Sequence, residues 1–212
     1  MRLRLRLFYW NQSPPPAVPF LMIPFLFVKI VGYAWMTLGL VYLLGVVRTK
    51  RTVQRQSSDS RRLQLGLTIL GYFLIFWRLR PYSPFNLRLI PLHHSLLVLG
   101  AALTVAGCLL AIWARVMLGA NWSMNVTLKQ QHALMTRGPY AFVRHPIYTG
   151  LLLAALGTAI VYGAAHCFLG VAVLFYGFWL KLHTEEEFML QQFGAQYVAY
   201  KEHVRALIPG VL

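Results

Sequence analysis

The sequence predicts an all-α integral membrane protein with about five transmembrane helices, a cytoplasmic C-terminal helix and no Rossmann domain. Three observations carry that expectation. First, 58% of the 212 residues are apolar and only 12% are charged, with a mean hydropathy of +0.57. That is more hydrocarbon than a soluble domain of this size can bury beneath its own surface. Second, the apolar residues fall in runs approaching the roughly 20 residues that a helix needs to cross a hydrocarbon core of about 30 Å. Third, the chain contains no glycine-rich dinucleotide or phosphate loop, no GxSxG and no HExxH, the marks of the common soluble catalytic folds.

Residues Met1 to Phe20 combine Arg2, Arg4 and Arg6 with Pro14, Pro15 and Pro16. The apolar stretch behind them is too long for a signal peptide and lacks a small-residue cleavage site, so residues 1–19 are expected to be an uncleaved lead-in. Spans are then expected from about Phe20 to Val47, Leu63 to Trp77, Ser95 to Leu118, Ile147 to Tyr162 and Cys167 to Leu182. Two short spans joined around Gly163 read as a helical hairpin. Residues 20–94 would hold two N-terminal spans and their loops. Residues 95–212 would form a core of three spans, a polar connector at 119–148 and an amphipathic C-terminal helix. Gly100, Thr104, Gly107, Ala111 and Ala114 recur along the third span, and Gly150, Ala154 and Gly157 along the fourth, at the spacing of close helix contact.

Twenty Lys and Arg against five Asp and Glu give a net charge of +15. In a bilayer this balance fits anionic headgroups and topology control, so no nucleic acid partner is expected. Arg48, Lys50, Arg51, Arg55, Arg61 and Arg62 crowd the first loop with Asp59 as their only acid, which places that loop in the cytoplasm. Alternation then puts the 119–146 connector and the C-terminal tail on the same side, a setting expected to be a bacterial inner membrane. Lys29 and Arg115, inside spans, are expected to snorkel. Cys108 and Cys167 lie in apolar runs without metal-ligand spacing, so neither a disulfide scaffold nor a metal site is expected.

Polarity collects in two places. Four of the five acids, Glu185, Glu186, Glu187 and Glu202, fall in the last 28 residues, and the densest polar stretch before them runs from Asn121 to Tyr148. A hairpin of the fourth and fifth spans brings Arg144-His145-Pro146-Ile147-Tyr148 against Lys181 to Glu187 by geometry alone. Pro146 suits the first turn of a helix, where its missing N–H costs nothing, and free backbone donors there would suit a carboxylate. Three glutamates at the end of an apolar span call for a cation. A solvated charge run or pairing with Arg144 and Lys181 would satisfy them as well as a ligand would. Phe193, Tyr197, Tyr200 and Val204 form an apolar stripe that would dock the tail on the bundle.

Asn121-Trp122-Ser123, His132-Ala133-Leu134-Met135-Thr136-Arg137-Gly138-Pro139-Tyr140 and Val143-Arg144-His145-Pro146-Ile147-Tyr148-Thr149-Gly150, followed by Glu185-Glu186, Phe193-Gly194, Tyr197, Tyr200 and Ile208-Pro209, resemble the two ordered motifs of the isoprenylcysteine carboxyl methyltransferase family. The resemblance covers roughly residues 95 to 212. It implies an integral membrane enzyme that uses S-adenosyl-L-methionine and methylates a lipophilic acceptor at a carboxylate. Carried over by position, it implies cofactor contacts at His132, Ala133, Leu134, Met135, Tyr140, His145, Pro146, Ile147, Tyr148 and Glu185, with Asn125 a further candidate. Lys181 falls where eukaryotic members place a substrate-contacting arginine, and Arg144 and Lys181 would steer the anionic group. Lysine keeps the charge but loses the bidentate fork.

The implied chemistry suits these residue types. An in-line displacement at a sulfonium needs positioning and exclusion of water more than a base. A carboxylate nucleophile is already ionised, whereas an amine acceptor would need a base, for which His145 is the candidate. Prenyl-thiol acids, other isoprenoid acids and phospholipid amines remain open as acceptors. Two other readings also stand: an NADPH-dependent membrane sterol or enone reductase, whose related segment has asparagine where Ile147 stands, and a non-catalytic lipid-binding protein.

Overall fold

The computed structural model describes residues 24–46, 52–55, 58–77, 87–119, 127–129 and 134–210. In chain order the elements are α1 (Phe25–Val46), β1 (Thr52–Arg55), α2 (Ser58–Phe76), α3 (His94–Leu118), β2 (Thr127–Lys129), a single 3₁₀ turn (Gly138–Ala141), α4 (Pro146–Tyr162), α5 (Ala165–Phe193) and α6 (Ala195–His203). Among the described residues the fold is helical apart from one antiparallel ribbon, in which β1 pairs with β2 through Thr52–Lys129, Gln54–Leu128 and Arg55–Thr127. No Rossmann-type sheet occurs among the described residues.

Among the described residues three helices are long and apolar enough to cross a membrane: Phe25–Gly45, His94–Leu118 and Ala165–Phe193. The chain is an integral membrane protein, and the two remaining long helices of the five expected spans, α2 and α4, are shorter or less apolar. At 17 residues, α4 rises about 26 Å and falls short of a hydrocarbon core. α2 opens with Ser58, Asp59, Ser60, Arg61 and Arg62, so its apolar part is shorter than the helix. The outward faces of α1 and α2 carry exposed Met36, Leu43, Leu44 and Ile69, as a lipid-facing surface requires.

Small residues set the closest packing. A β-carbon at Gly100 would stand 2.8 Å from the Gly157 carbonyl oxygen, and one at Gly150 would stand 2.6 Å from that of Gly107. The backbones of α3 and α4 therefore touch along the stripe the sequence foretold. Inside that seam, Thr104 donates to Gly100 O at 2.9 Å, Thr158 to Ala154 O at 2.8 Å, and Trp35 Nε1 to Thr158 Oγ1 at 2.9 Å. No hydroxyl of the seam is left without an acceptor in an apolar surrounding. A second such contact joins α2 to α5, where Gly71 and Gly170 face each other and a β-carbon at Gly170 would lie 2.7 Å from Gly71 O. The sequence reading did not single out that pair.

Gly163, at φ +69°, turns the chain from α4 into α5 in a conformation that disfavours other residues. Leu89 N donates to Gly163 O at 2.8 Å and Ala165 N to Leu87 O at 2.8 Å, so the segment before α3 clasps this turn. Arg88 adds Nε to Ile90 O at 2.7 Å. The opposite end of the bundle gathers Gly45, Arg115, Gly119, the start of α4 and the second half of α5. Arg115 does not snorkel. It is 4% exposed, and its guanidinium donates to Gly45 O at 2.7 Å and Gly119 O at 2.9 Å, capping the last carbonyls of α1 and α3. Lys29 stays exposed, with Nζ 4.4 Å from the Phe25 ring centroid.

α5 is one continuous helix of 29 residues, where the sequence suggested a span ending near Leu182 with a polar tail. Leu, Glu, Met and Gln are all strong helix formers, so the loss of hydrophobicity after Leu182 does not end the helix. The apolar stripe beyond it is also shorter than expected. α6 ends at His203 and Val204 is extended, after which the chain runs under the bundle.

Candidate active site

Each wall of the site follows from a local sequence feature. Gly138 and Pro139 start the 3₁₀ turn, with Gly138 at φ +61°. Pro146 then opens α4 at its first position. Between them the N–H groups of Arg144 and His145 leave the turn and bond elsewhere. Those groups do not face an open pocket. Arg144 N donates to Arg205 O at 2.8 Å and His145 N to Ala206 O at 3.0 Å, and Thr149 Oγ1 donates to Leu207 O at 2.7 Å. The two amides ahead of Pro146 are thus taken up by the returning chain, 204–207, whose Ala206 and Leu207 join Ile75, Tyr148, Leu174, Phe178 and Leu182 in the main apolar cluster.

The hairpin brings its polar tips together. Arg144 Nε and Nη2 lie 2.9 and 2.6 Å from the same oxygen, Glu186 Oε1, and Arg144 Nη1 donates to Val204 O. Lys201 Nζ reaches the other oxygen, Oε2, at 2.7 Å. His145 lies between two carboxylates, with Nε2 3.3 Å from Glu186 Oε1 and Nδ1 3.6 Å from Glu185 Oε2. Burial pushes this imidazole down, but hydrogen bonding and charge from Glu185 and Glu186 together outweigh it and hold His145 above the usual histidine range. Both ring nitrogens are turned to carboxylates, so neither is directed at a substrate amine.

Tyr148 stands at the centre. Its hydroxyl donates to Glu185 Oε1 at 2.5 Å. Its ring is stacked between His145, 5.7 Å away, and Phe178, 5.0 Å away, and Lys181 Nζ lies 5.5 Å from its centroid. Lys181 and Glu185, one turn apart on α5, therefore flank one phenol, while Glu186, about 100° further round the helix, faces the tail. Behind this group, Tyr200 donates to Tyr140 O at 2.6 Å and Tyr140 to Ala114 O at 3.3 Å. Burial pushes the Tyr200 phenol up to about 12, so it remains a donor at neutral pH.

Of the residues named from sequence, Arg144, Tyr140, His145, Pro146, Ile147, Tyr148, Lys181 and Glu185 come together at this end of the bundle. Leu134 and Met135 lie half-buried on the chain leading into the 3₁₀ turn. Asn125, His132 and Ala133 fall outside the described residues. Arg144 is placed differently from a substrate-steering cation, because its guanidinium is committed to Glu186 and the tail. The sequence named Glu186 within the acidic run, with pairing to Arg144 as one way to satisfy it, and Thr149 within the motif, but gave neither a role in the site; Lys201 and Phe178 carried no signal beyond charge and hydrophobicity.

A family profile described as phospholipid methyltransferase matches residues 95–196. Protein-S-isoprenylcysteine O-methyltransferase of Schizosaccharomyces pombe is 37% identical over 99 residues, covering 45% of this chain and 42% of that protein. Protein-S-isoprenylcysteine O-methyltransferase B of Arabidopsis thaliana is 29% identical over 115 residues, covering 53% and 58%. The Dictyostelium discoideum protein of the same name is 28% identical over 151 residues, covering 70% and 62%. The chain spans about half the length of the curated relatives it matches. A solved structure of a eukaryotic intramembrane Ras methyltransferase, isoprenylcysteine carboxyl methyltransferase, aligns over 75% of this chain and 55% of its own with a TM-score of 0.48 and 22% identity.

Proposed function

We infer, from the kinship of residues 95–196 with the phospholipid methyltransferase family and its isoprenylcysteine O-methyltransferase relatives, that this chain is a membrane-embedded methyltransferase. It uses S-adenosyl-L-methionine and acts at the cytoplasmic face on the carboxylate of a lipophilic, isoprenoid-bearing acceptor. The observation that supports this reading best is the pairing of Tyr148 and Lys181 with Glu185 at the inner tips of the α4–α5 hairpin.

The donor set fits the cofactor. Glu185 Oε1 is engaged by Tyr148, and Oε2 faces His145 Nδ1 at 3.6 Å. That oxygen keeps lone pairs for a cationic group, and Tyr148 offers an aromatic face beside it. S-adenosyl-L-methionine supplies an electrophilic methyl group on sulfur, so an acceptor carboxylate oxygen gains the O–CH₃ bond as the S–CH₃ bond breaks and its electron pair stays on sulfur. No proton moves, and no base is required. The chain's part is positional. Glu185 binds the cofactor's positive end, and Lys181 draws the acceptor's anion to the same phenol. Arg144 and Lys201 hold Glu186, which with Glu185 fixes the imidazolium of His145. The apolar flank of α5 lets the acceptor's lipid tail remain in hydrocarbon while its polar end reacts.

Incubation of membranes containing the protein with methyl-labelled S-adenosyl-L-methionine tests the reading. Label should enter the lipid-soluble fraction and be released as methanol by alkali, as from an ester. Transferred label that survives alkali would overturn carboxyl methylation in favour of an amine acceptor, and no transfer to lipid or lipidated protein would overturn the reading as a whole.

A further inference from the structure

A second polar feature lies on the other side of α5. Trp179, Leu182, His183 and Glu186 line one face of the helix, and together with Arg144, Lys201, Arg205 and Ala206 they enclose an open cleft. Lys181 and Glu185 point away from it, since each residue advances about 100° around the helix. Among the lining residues three guanidinium or ammonium groups face a single carboxylate. Glu186 already receives Arg144 and Lys201, so the positive excess is centred on exposed Arg205. The backbone of Arg205 is pinned by the bond from Arg144 N, which fixes where its side chain starts. The cleft floor is apolar, made by Leu182 and Ala206, both buried. From it an aromatic column descends the outside of α5: His183 meets Trp179 edge-on at 4.6 Å, and Trp179 stacks on Phe175 at 6.0 Å. Phe175 is 40% exposed, on the surface the bilayer would cover. Cations at the helix end, a tryptophan at the boundary and exposed apolar rings below are what a phosphate with an acyl chain attached requires.

We propose that this cleft binds an anionic phospholipid, its phosphate held by Arg205 and Lys201 and one acyl chain laid along Trp179 and Phe175. The site is distinct from the Tyr148–Glu185 pair and does not depend on the methyltransferase reading. It would seat the tail segment 204–207 against the membrane surface from outside while Arg144 and Thr149 hold it from within.

Native mass spectrometry of the full chain, released from micelles after mixing with phosphatidylglycerol or phosphatidylcholine, tests this. Phosphatidylglycerol should be retained preferentially. Arg205→Gln, and independently Lys201→Gln, should each weaken that retention about fivefold, the effect of one basic residue at a membrane surface. Arg62→Gln, which removes an exposed charge at the start of α2, should leave it unchanged. Equal retention of the two lipids, or the same loss in Arg62→Gln as in Arg205→Gln, would overturn the proposal. A parallel arm follows thermal stability with inorganic phosphate alone. If phosphate stabilises as much as phosphatidylglycerol, the acyl chain takes no part and the lipid assignment falls. Phe175→Ala should lower retention of the lipid without altering any response to phosphate.

Discussion

Arg144 and Glu186 are 42 residues apart in sequence and meet at 2.6 Å, each side chain 8% exposed. This pair ties the start of α4 to the inner half of α5, and through Val204 and Lys201 it ties both to the tail. Breaking a buried pair by removing one partner strands the other charge, at a cost of about 3–5 kcal/mol. Arg144→Ala and Glu186→Ala should each lower the melting temperature in detergent sharply. The double variant should lose less than the sum of the two. Arg144→Lys should recover only part of the loss, because it cannot offer two nitrogens to one oxygen.

The α3–α4 seam has no room for side chains where its glycines meet. Gly157→Leu should force the helices apart, at a cost of about 1–3 kcal/mol or more, and reduce the monodisperse fraction on size exclusion. Gly66→Leu, at a glycine with no atom within 4 Å of where its β-carbon would stand, should be tolerated.

His145 gives stability a pH dependence of definite sign. Its value in the fold is raised above the ordinary one of about 6.5. The stabilisation is complete below the ordinary value and is lost as pH rises through the raised one. The wild-type melting temperature should therefore fall, as pH rises above the ordinary histidine value of about 6.5, more than that of His145→Asn. Parallel curves for the two proteins would contradict the imidazolium between Glu185 and Glu186.

Tyr148→Phe keeps the stacking on His145 and Phe178 but removes the donor to Glu185. The melting temperature should fall, reflecting the roughly 1.5–3 kcal/mol of a hydrogen bond to a charged group, and affinity for S-adenosylhomocysteine should fall with it because the carboxylate loses the donor that orients it. Lys181→Ala should leave that affinity intact and impair turnover. If both variants lose binding alike, cofactor and acceptor roles are not divided between Glu185 and Lys181.

How far the architecture could be read from sequence depended on whether side-chain identity set each contact. The α3–α4 seam was legible because only small residues at Gly100, Gly107, Gly150 and Gly157 permit it. The hairpin was legible because Gly163 and Pro146 punctuate the chain at both ends of α4. Its polar tips followed from those two turns. The 204–207 segment was illegible for the opposite reason: it is held by its carbonyls, which every residue has. Arg115 was misjudged because snorkelling and capping ask for the same residue near a helix end, and only the approach of Gly45 decides between them. The reach of α5 to Phe193 was hidden because charge marks a membrane boundary as readily as it marks a helix end.

The most direct test of the central claim is calorimetric titration of the detergent-solubilised protein and its Glu185→Ala variant with S-adenosylhomocysteine. The wild type should bind, and Glu185→Ala, with its fold confirmed by an unchanged elution profile, should not. No heat from the wild type at millimolar ligand, or undiminished affinity in Glu185→Ala, would contradict a cofactor site built at the hairpin's inner tips.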